Sequence, residues 1–321
     1  MKLTFDQIKA ITFGADHSRI NDGHICFFRY SEAAIQTWGQ IRGDFKYGAS
    51  APAGIRFDFH TDSSRFAFLP TAPAPFDIMI DGMLVSSCRW DYYENTDGWV
   101  NCSLPEGEHR VTVLFPHHSD IRINIREMVL DDGATIIPHT YERKILFFGD
   151  SITHGTGASS TYMSYAWRVS QALNADCRNL AIGGSFFAPK AFPEDLDFEP
   201  DIIIVAYGTN DWGFFSGPDR LELRSREFLD KLCSRFPNKK IFGITPIWRC
   251  NHKELQRVGT FEECRQIVRQ AHQNHGITVI EGNTLVPHQY GFFTDGLHPN
   301  DNGHSCYAEN LLVQMRPYLT K

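Results

Sequence analysis

Two styles of hydrophobic patterning divide the chain near Tyr141. Before that point apolar and polar positions alternate. Ile55, Phe57 and Phe59 interleave with Arg56, Asp58 and His60, the period of two expected of a half-buried strand. The run 76–80 and the run 83–85 flank Asp81-Gly82, and an Asp-Gly pair between such runs predicts a hairpin. The runs 110–115 and 121–125 continue the pattern, with turn signals such as Pro105-Glu106-Gly107 between strands. Several short strands at this spacing predict a sandwich or jelly roll. A short helix is expected near 31–38, with Ser31 as its N-cap.

After Tyr141 the apolar runs become continuous. Ile145-Leu146-Phe147-Phe148 reads as a central parallel strand buried on both faces. Residues 162–174 then show helical spacing through Tyr162, Tyr165, Ala166, Val169 and Leu173. Strands are predicted at 177–182, 202–207, 241–245 and 277–280, and helices at 219–236, 260–275 and 301–316. Strands alternating with helices predict a doubly wound α/β sheet. The expected organisation is therefore an all-β sandwich or jelly-roll domain over 1–140 and an α/β domain over 141–321. The junction at 133–143 is short, so the two are expected to pack together.

Four short blocks in the second part carry the chemistry. Gly149-Asp150-Ser151-Ile152-Thr153 follows the first parallel strand, and Gly183-Gly184-Ser185 the second. Gly208-Thr209-Asn210-Asp211 follows the third, and Asp295-Gly296-Leu297-His298 lies on a late loop. Carboxyl ends of parallel strands converge on one crevice, so these blocks are expected to meet. Ester hydrolysis needs a nucleophile, a base and donors for the developing oxyanion. Ser151 suits the first role and His298 the second. Asp295, three residues before His298, can turn back to one ring nitrogen and leave the other for Ser151.

The ordered set resembles the SGNH hydrolases of the GDSL esterase and lipase superfamily, over residues 141–321. Gly-Asp-Ser-Ile-Thr matches the superfamily signature, Gly-x-Asn-Asp the third block and Asp-x-x-His the last. The resemblance implies a flavodoxin-like sheet. It implies Ser151, Asp295 and His298 as catalytic triad, with the N–H groups of Ser151 and Gly184 and the amide of Asn210 as oxyanion donors. It makes Asp150 a buried structural carboxylate and Asp211 a supporting residue. His154, Trp212 and Trp248, close to the blocks, are candidates for lining the substrate site. No cofactor and no metal are expected. A sandwich ahead of such a domain also resembles two-domain carbohydrate esterases, which implies an O-acetyl esterase acting on acetylated oligosaccharides through an acyl-enzyme. A lysophospholipase or thioesterase is the rival, and a non-catalytic carbohydrate-binding protein is a third reading.

Composition narrows the partners. The 321-residue chain has 42% hydrophobic residues and a formal net charge of −7, with no dense basic run. Nucleic acid is not an expected partner. A small-molecule ester or an acetylated oligosaccharide is, and self-association is left open. The start of the chain lacks a signal-peptide h-region and no apolar run is long enough to span a bilayer, so a cytoplasmic protein is expected. Eight cysteines without C-x-x-C spacing read as free thiols. His117 and His118 read as solvent-exposed loop residues rather than a metal site. Trp90, Tyr92, Tyr93 and Trp99 could stack on a sugar, although core packing is the commoner use of such a cluster. Gly155-Thr156-Gly157-Ala158-Ser159-Ser160 imitates a dinucleotide fingerprint, but its third glycine is replaced and no acidic residue ends the next strand. There is no phosphate loop and no Gly-x-Ser-x-Gly elbow.

Overall fold

The computed structural model describes residues 1–88, 97–117 and 122–319. The first half is a sandwich of two antiparallel sheets. Helix α1 (Phe5–Ala10) precedes β1 (Thr12–Phe13), β2 (His17–Asn21) and β3 (His24–Phe28). Helices α2 (Glu32–Ile41) and α3 (Phe45–Ser50) follow. Then come β4 (Arg56–Thr61), β5 (Arg65–Pro70), β6 (Phe76–Ile80), β7 (Met83–Cys88), β8 (Val100–Ser103), β9 (His109–Leu114), β10 (Ile125–Leu130) and β11 (Ile137–Pro138). One sheet runs β1-β4-β9-β6-β7 with β11 beside β4, and the other β2-β3-β10-β5-β8. The alternating phenylalanines explain the closure. Phe57, Phe59, Phe66, Phe68, Phe76 and Phe115 are fully buried between the sheets, where edge-to-face ring pairs such as Phe57–Phe68, 5.9 Å apart, fill the core.

The second half is an open parallel sheet. Its strands are β12 (Arg143–Gly149), β13 (Ala175–Asn179), β14 (Ile202–Ala206), β15 (Lys240–Ile244) and, after the small hairpin of β16 (Leu255–Gln256) and β17 (Gly259–Thr260), β18 (Thr278–Ile280). The order β13-β12-β14-β15-β18 is the flavodoxin-like arrangement, with its switch point between β12 and β14. Successive residues of β12 feed opposite cores. Ile145 and Phe147 meet α5 (Tyr165–Ala172) and α9 (Asp301–Leu319) on one face. Leu146 and Phe148 meet α7 (Pro218–Arg235) and α8 (Phe261–Asn274) on the other.

Several expectations shift. The helix capped by Ser31 runs on to Ile41, with Ser31 Oγ accepting the N–H of Ala34 at 3.2 Å. Helices α1 and α3 have no counterpart in the predicted elements. The strand expected at 121–125 starts at Ile125 instead and ends at Leu130, while Ile121 lies outside the described residues. His117 is not in solvent: it is 7% exposed, and its N–H and Nδ1 both meet Thr161 Oγ1, at 2.9 and 3.1 Å. His118, Trp90, Tyr92 and Tyr93 lie outside the described residues, and Trp99 is half-buried. The seven cysteines with described side chains are free.

The chain does not respect a simple division at the linker. After β3 it leaves the sandwich, and Tyr30, Ile35, Trp38 and Phe45 join the core that contains Leu180, Ile182 and Phe186. It then returns to the sandwich as β4. A polar seam reinforces this contact. The guanidinium of Arg56, wholly buried, donates to Asp176 Oδ1 at 2.8 Å and to Tyr141 Oη at 2.7 Å. Tyr141 in turn donates to Asp58, which Arg110 grips with two bonds of 2.8 Å.

Candidate active site

Three strand ends and the loop before α9 deliver the four blocks to one crevice. At the end of β12, Asp150 adopts an extended conformation and caps α4 (Ser151–His154), accepting the N–H of Ile152 at 3.0 Å. Ser151 therefore opens a helix and turns its hydroxyl outward. Its Oγ lies 2.8 Å from His298 Nε2. His298 Nδ1 lies 2.7 Å from Asp295 Oδ2. The other oxygen of Asp295 accepts the N–H groups of Leu297 (3.0 Å) and His298 (2.8 Å), so the turn locks itself. Partial burial pulls the Asp295 carboxyl upward, but these backbone donors and the imidazole outweigh it and hold the group at about 2. Near neutral pH Asp295 is a carboxylate that can orient the ring and stabilise an imidazolium.

Gly184 is the glycine whose backbone needs no side chain. Its φ is +74°, and a Cβ there would stand 2.6 Å from Arg42 Nη2. Gly183 has no positive φ and no such neighbour within 3.4 Å. After β14, Asn210 donates one amide hydrogen to the Ser185 carbonyl at 2.9 Å. That bond fixes the side chain and leaves its second hydrogen unassigned to this partner. Asp211 opens α6 (Asp211–Phe214) and binds the second and third blocks together, accepting the N–H of Phe187 at 2.9 Å and of Gly208 at 2.8 Å.

Burial drives both Asp150 and Asp211 up to about 7 from the usual 3.8, against the pull of their backbone donors. The folded state thus holds protons that the unfolded chain has released. The resulting stability is fully present below about pH 4 and is lost as pH rises through about 7. Asp211→Asn removes one of the two titrations. Urea midpoints of wild type and variant, compared at about pH 5 and about pH 8, are expected to diverge less at the higher pH. A wild-type advantage that grows with pH would contradict this placement of the charge.

The remaining sequence candidates separate. Trp212 is 1% exposed, donates from Nε1 to the Gly259 carbonyl at 2.8 Å and packs on Phe261, so it belongs to the core and offers substrate no face. His154 is 4% exposed, with Nδ1 against Gly183. Trp248 is half-buried beside the loop of the fourth block, its ring stacked on His288 and 5.2 Å from Phe293. The glycines that imitate a nucleotide loop have another use. A Cβ on Gly157 would lie 2.1 Å from the Pro299 carbonyl, and Ser159 binds Asp301 through both N–H and Oγ at 2.7 Å. This loop is pressed against the segment that carries His298.

Three positions escaped sequence reasoning. Arg249 donates to the Thr209 carbonyl at 3.2 Å and lies over Trp212, and burial lowers its pKa. Arg29 is wholly buried and donates to the carbonyls of Asn179, Ala181 (3.1 Å), Gly48 and Ala51 (both 2.6 Å). Tyr30 donates to the Leu180 carbonyl. These two residues hold the segment that leads into Gly184. The only signal in the sequence is a charged and a phenolic residue placed directly after the apolar run of β3.

Residues 147–306 match the GDSL-like lipase/acylhydrolase family. This segment is a GDSL-like lipase/acylhydrolase domain. Solved structures of low identity share the whole fold. Salicylyl-acyltransferase SsfX3 from a tetracycline biosynthetic pathway is 20% identical, with a TM-score of 0.78 over 96% of this chain and 94% of its own. A family two carbohydrate esterase from Cellvibrio japonicus is 18% identical, with a TM-score of 0.67 over 95% and 94%. One from Clostridium thermocellum, solved with cellohexaose, is 17% identical, with a TM-score of 0.66 over 84% and 94%. No curated protein matches the chain. The acylhydrolase domain therefore sits behind an N-terminal antiparallel domain, as in these structures. Among the described residues no helix is long and apolar enough to cross a membrane, and no group of three or more His, Cys, Asp or Glu is placed to hold a metal ion.

Proposed function

We propose that the GDSL-like domain, an ester hydrolase by family, works through Ser151, His298 and Asp295. His298 Nε2 takes the Ser151 proton as Oγ attacks the ester carbonyl. The N–H groups of Ser151 and Gly184 and the amide of Asn210 receive the oxyanion. Collapse expels the alcohol, which takes its proton from His298, and leaves an acyl-enzyme. Water, deprotonated by the same imidazole, releases the carboxylic acid and restores Ser151. The observation that carries this reading is the unbroken chain from Ser151 Oγ to His298 Nε2 (2.8 Å) and from Nδ1 to Asp295 (2.7 Å). A fluorophosphonate should label Ser151 alone, and a label on another serine sinks the assignment.

The finer substrate reading is an acetyl ester of a carbohydrate, supported by fold likeness to the family two carbohydrate esterases and to an acetyl xylan esterase from Butyrivibrio proteoclasticus. A second reading has a specific observation behind it. The segments that follow Gly184 and Asn210 in sequence line an apolar pocket much larger than an acetyl group needs. Phenyl esters from acetate to benzoate, with acetylated xylo-oligosaccharides alongside, decide between the two by kcat/KM.

Asn210 should act on the transition state. Loss of one oxyanion donor typically costs about 10²–10³ in kcat. Asn210→Ala is therefore expected to lower kcat by about that factor with little change in KM, in steady-state assays on phenyl acetate. A change confined to KM would make Asn210 a ground-state binding residue instead.

A further inference from the structure

The chain carries a pocket of about 350 Å³, two walls of which are built by the segments that continue in sequence from the proposed oxyanion donors. Phe186 and Phe187 come just after Gly184 and Ser185, and Phe214 lies one helical turn beyond Asn210. Ile41, at the end of α2, closes another side. Its neighbour Arg42 is the residue pressed against Gly184. The rings of Phe186 and Phe214 are stacked with centroids 3.8 Å apart, and Phe214 is 45% exposed, a large apolar surface open to a ligand. Pockets that take small molecules fall in this size range and combine apolar walls with a few polar groups.

The charged side chains here all have one sign. Lys190, Arg220 and Arg224 border the pocket, in a chain whose net charge is −7. Arg224 is paired with Glu227 at 2.6 Å. Lys190 and Arg220 are exposed and form no ion pair among the described residues. Two unneutralised cations at the rim of an aromatic slot match a ligand that is apolar along its length and anionic at its end.

The stereochemistry of the reaction says which part of the ester enters. The tetrahedral carbon on Ser151 turns its oxyanion to the donors. Its leaving oxygen must face His298 Nε2 to be protonated. The acyl substituent then points away from His298. His298 arrives from the α9 side of the sheet, where Phe293 packs with Tyr307 and Leu311. Phe186 and Phe215 pack on the opposite, α7 side. One water takes about 30 Å³ of liquid, so a methyl group would leave most of the pocket empty while a ring would fill it.

We propose that this pocket is the acyl subsite, and that the acyl group it takes is ring-sized and apolar with a carboxylate at its far end, met by Lys190 and Arg220. The proposal rests on the reading of Ser151 as nucleophile. The test uses the full-length protein and matched ester pairs. Phenyl 4-carboxybenzoate is compared with phenyl 4-carbamoylbenzoate, which has the same shape without the charge. The carboxylate is expected to raise kcat/KM about tenfold at low salt, and the ratio to shrink as salt screens it. In the double variant K190A/R220A the ratio is expected to fall to about one. A wild-type ratio near one, or a ratio that survives in the variant, overturns the proposal. So does a preference for charge on the alcohol side, read from 4-carboxyphenyl against 4-carbamoylphenyl acetate, and so does turnover of acetates alone. In each of these cases esters are still cleaved and Ser151 is still labelled. If no ester is cleaved and no label reaches Ser151, the nucleophile assignment itself has failed.

Discussion

Ser151→Ala is expected to lower kcat on phenyl acetate by about 10⁴-fold or more while the protein stays folded. The side chain is small and 6% exposed, and its hydroxyl has one side-chain partner among the described residues, His298 Nε2. Alanine at this position deletes that oxygen without opening a cavity in either sheet core. Asp150 keeps its cap on the Ile152 N–H, so α4 still starts at the same place. The proposed donors for the oxyanion also remain, since the backbone N–H of residue 151 survives the change. The activity left in the variant thus measures positioning and electrostatic stabilisation without covalent catalysis. Circular dichroism and urea unfolding should match wild type. Near wild-type turnover by a folded Ser151→Ala protein would refute the nucleophile assignment.

The same site shows how far sequence reaches. The four blocks were legible because three pair a local turn rule with a fixed position after a strand and the fourth is a compact turn just ahead of the last helix. Asp295 and His298 form a self-contained turn, held by the Leu297 and His298 N–H groups, and such geometry is local enough to be encoded in adjacent residues. The parallel sheet was legible because strands buried on both faces must be apolar throughout. The fate of Trp212 was not, because a tryptophan after a strand has the same sequence signature whether it faces the crevice or, as here, Phe261 and the Gly259 carbonyl. His117 was misplaced for a related reason. Its burial depends on Thr161, which is 44 residues away and in the other half of the chain. Arg29 carries only the weak signal of a charge directly after the apolar run of β3, and Arg42 carries none. Their roles exist only because α2 and α3 lie across the end of β13, a contact between segments about 150 residues apart. The apolar pocket escaped for the same reason, being assembled from α2, the segment after β13 and the segment after β14.

That contact leads to the second large effect. The fragment 141–321, expressed alone, is expected to be insoluble or to lack esterase activity. The linker near residue 141 marks a change of hydrophobic pattern, but the packing does not end there. Removing residues 1–140 strips Trp38 and Phe45 from the core that holds Leu180, Ile182 and Phe186. Each buried large side chain of this kind contributes about 1.5–3 kcal/mol through its apolar area. The cut also leaves Asp176 without Arg56, and the carbonyls of Asn179, Leu180 and Ala181 without Arg29 and Tyr30. A buried acceptor that loses its partner costs about 1–3 kcal/mol. Together these losses rival the whole stability of a domain, roughly 5–15 kcal/mol. They fall on the segment that presents Gly184 to the crevice, so activity should suffer even where some fold remains. A soluble fragment that hydrolyses phenyl acetate as fast as the full chain would show that the sandwich and its helices have no such role. Insolubility alone does not separate stability from positioning, and a milder change in the full-length chain does. Arg29→Met keeps the length of the side chain and removes its donors. It is expected to lower kcat on phenyl acetate more than it raises KM, because the loop that loses its anchor carries the proposed oxyanion donor Gly184 rather than a ground-state contact. An Arg29→Met protein that is merely less stable, with kcat unchanged at low temperature, would reduce the clamp to a packing device.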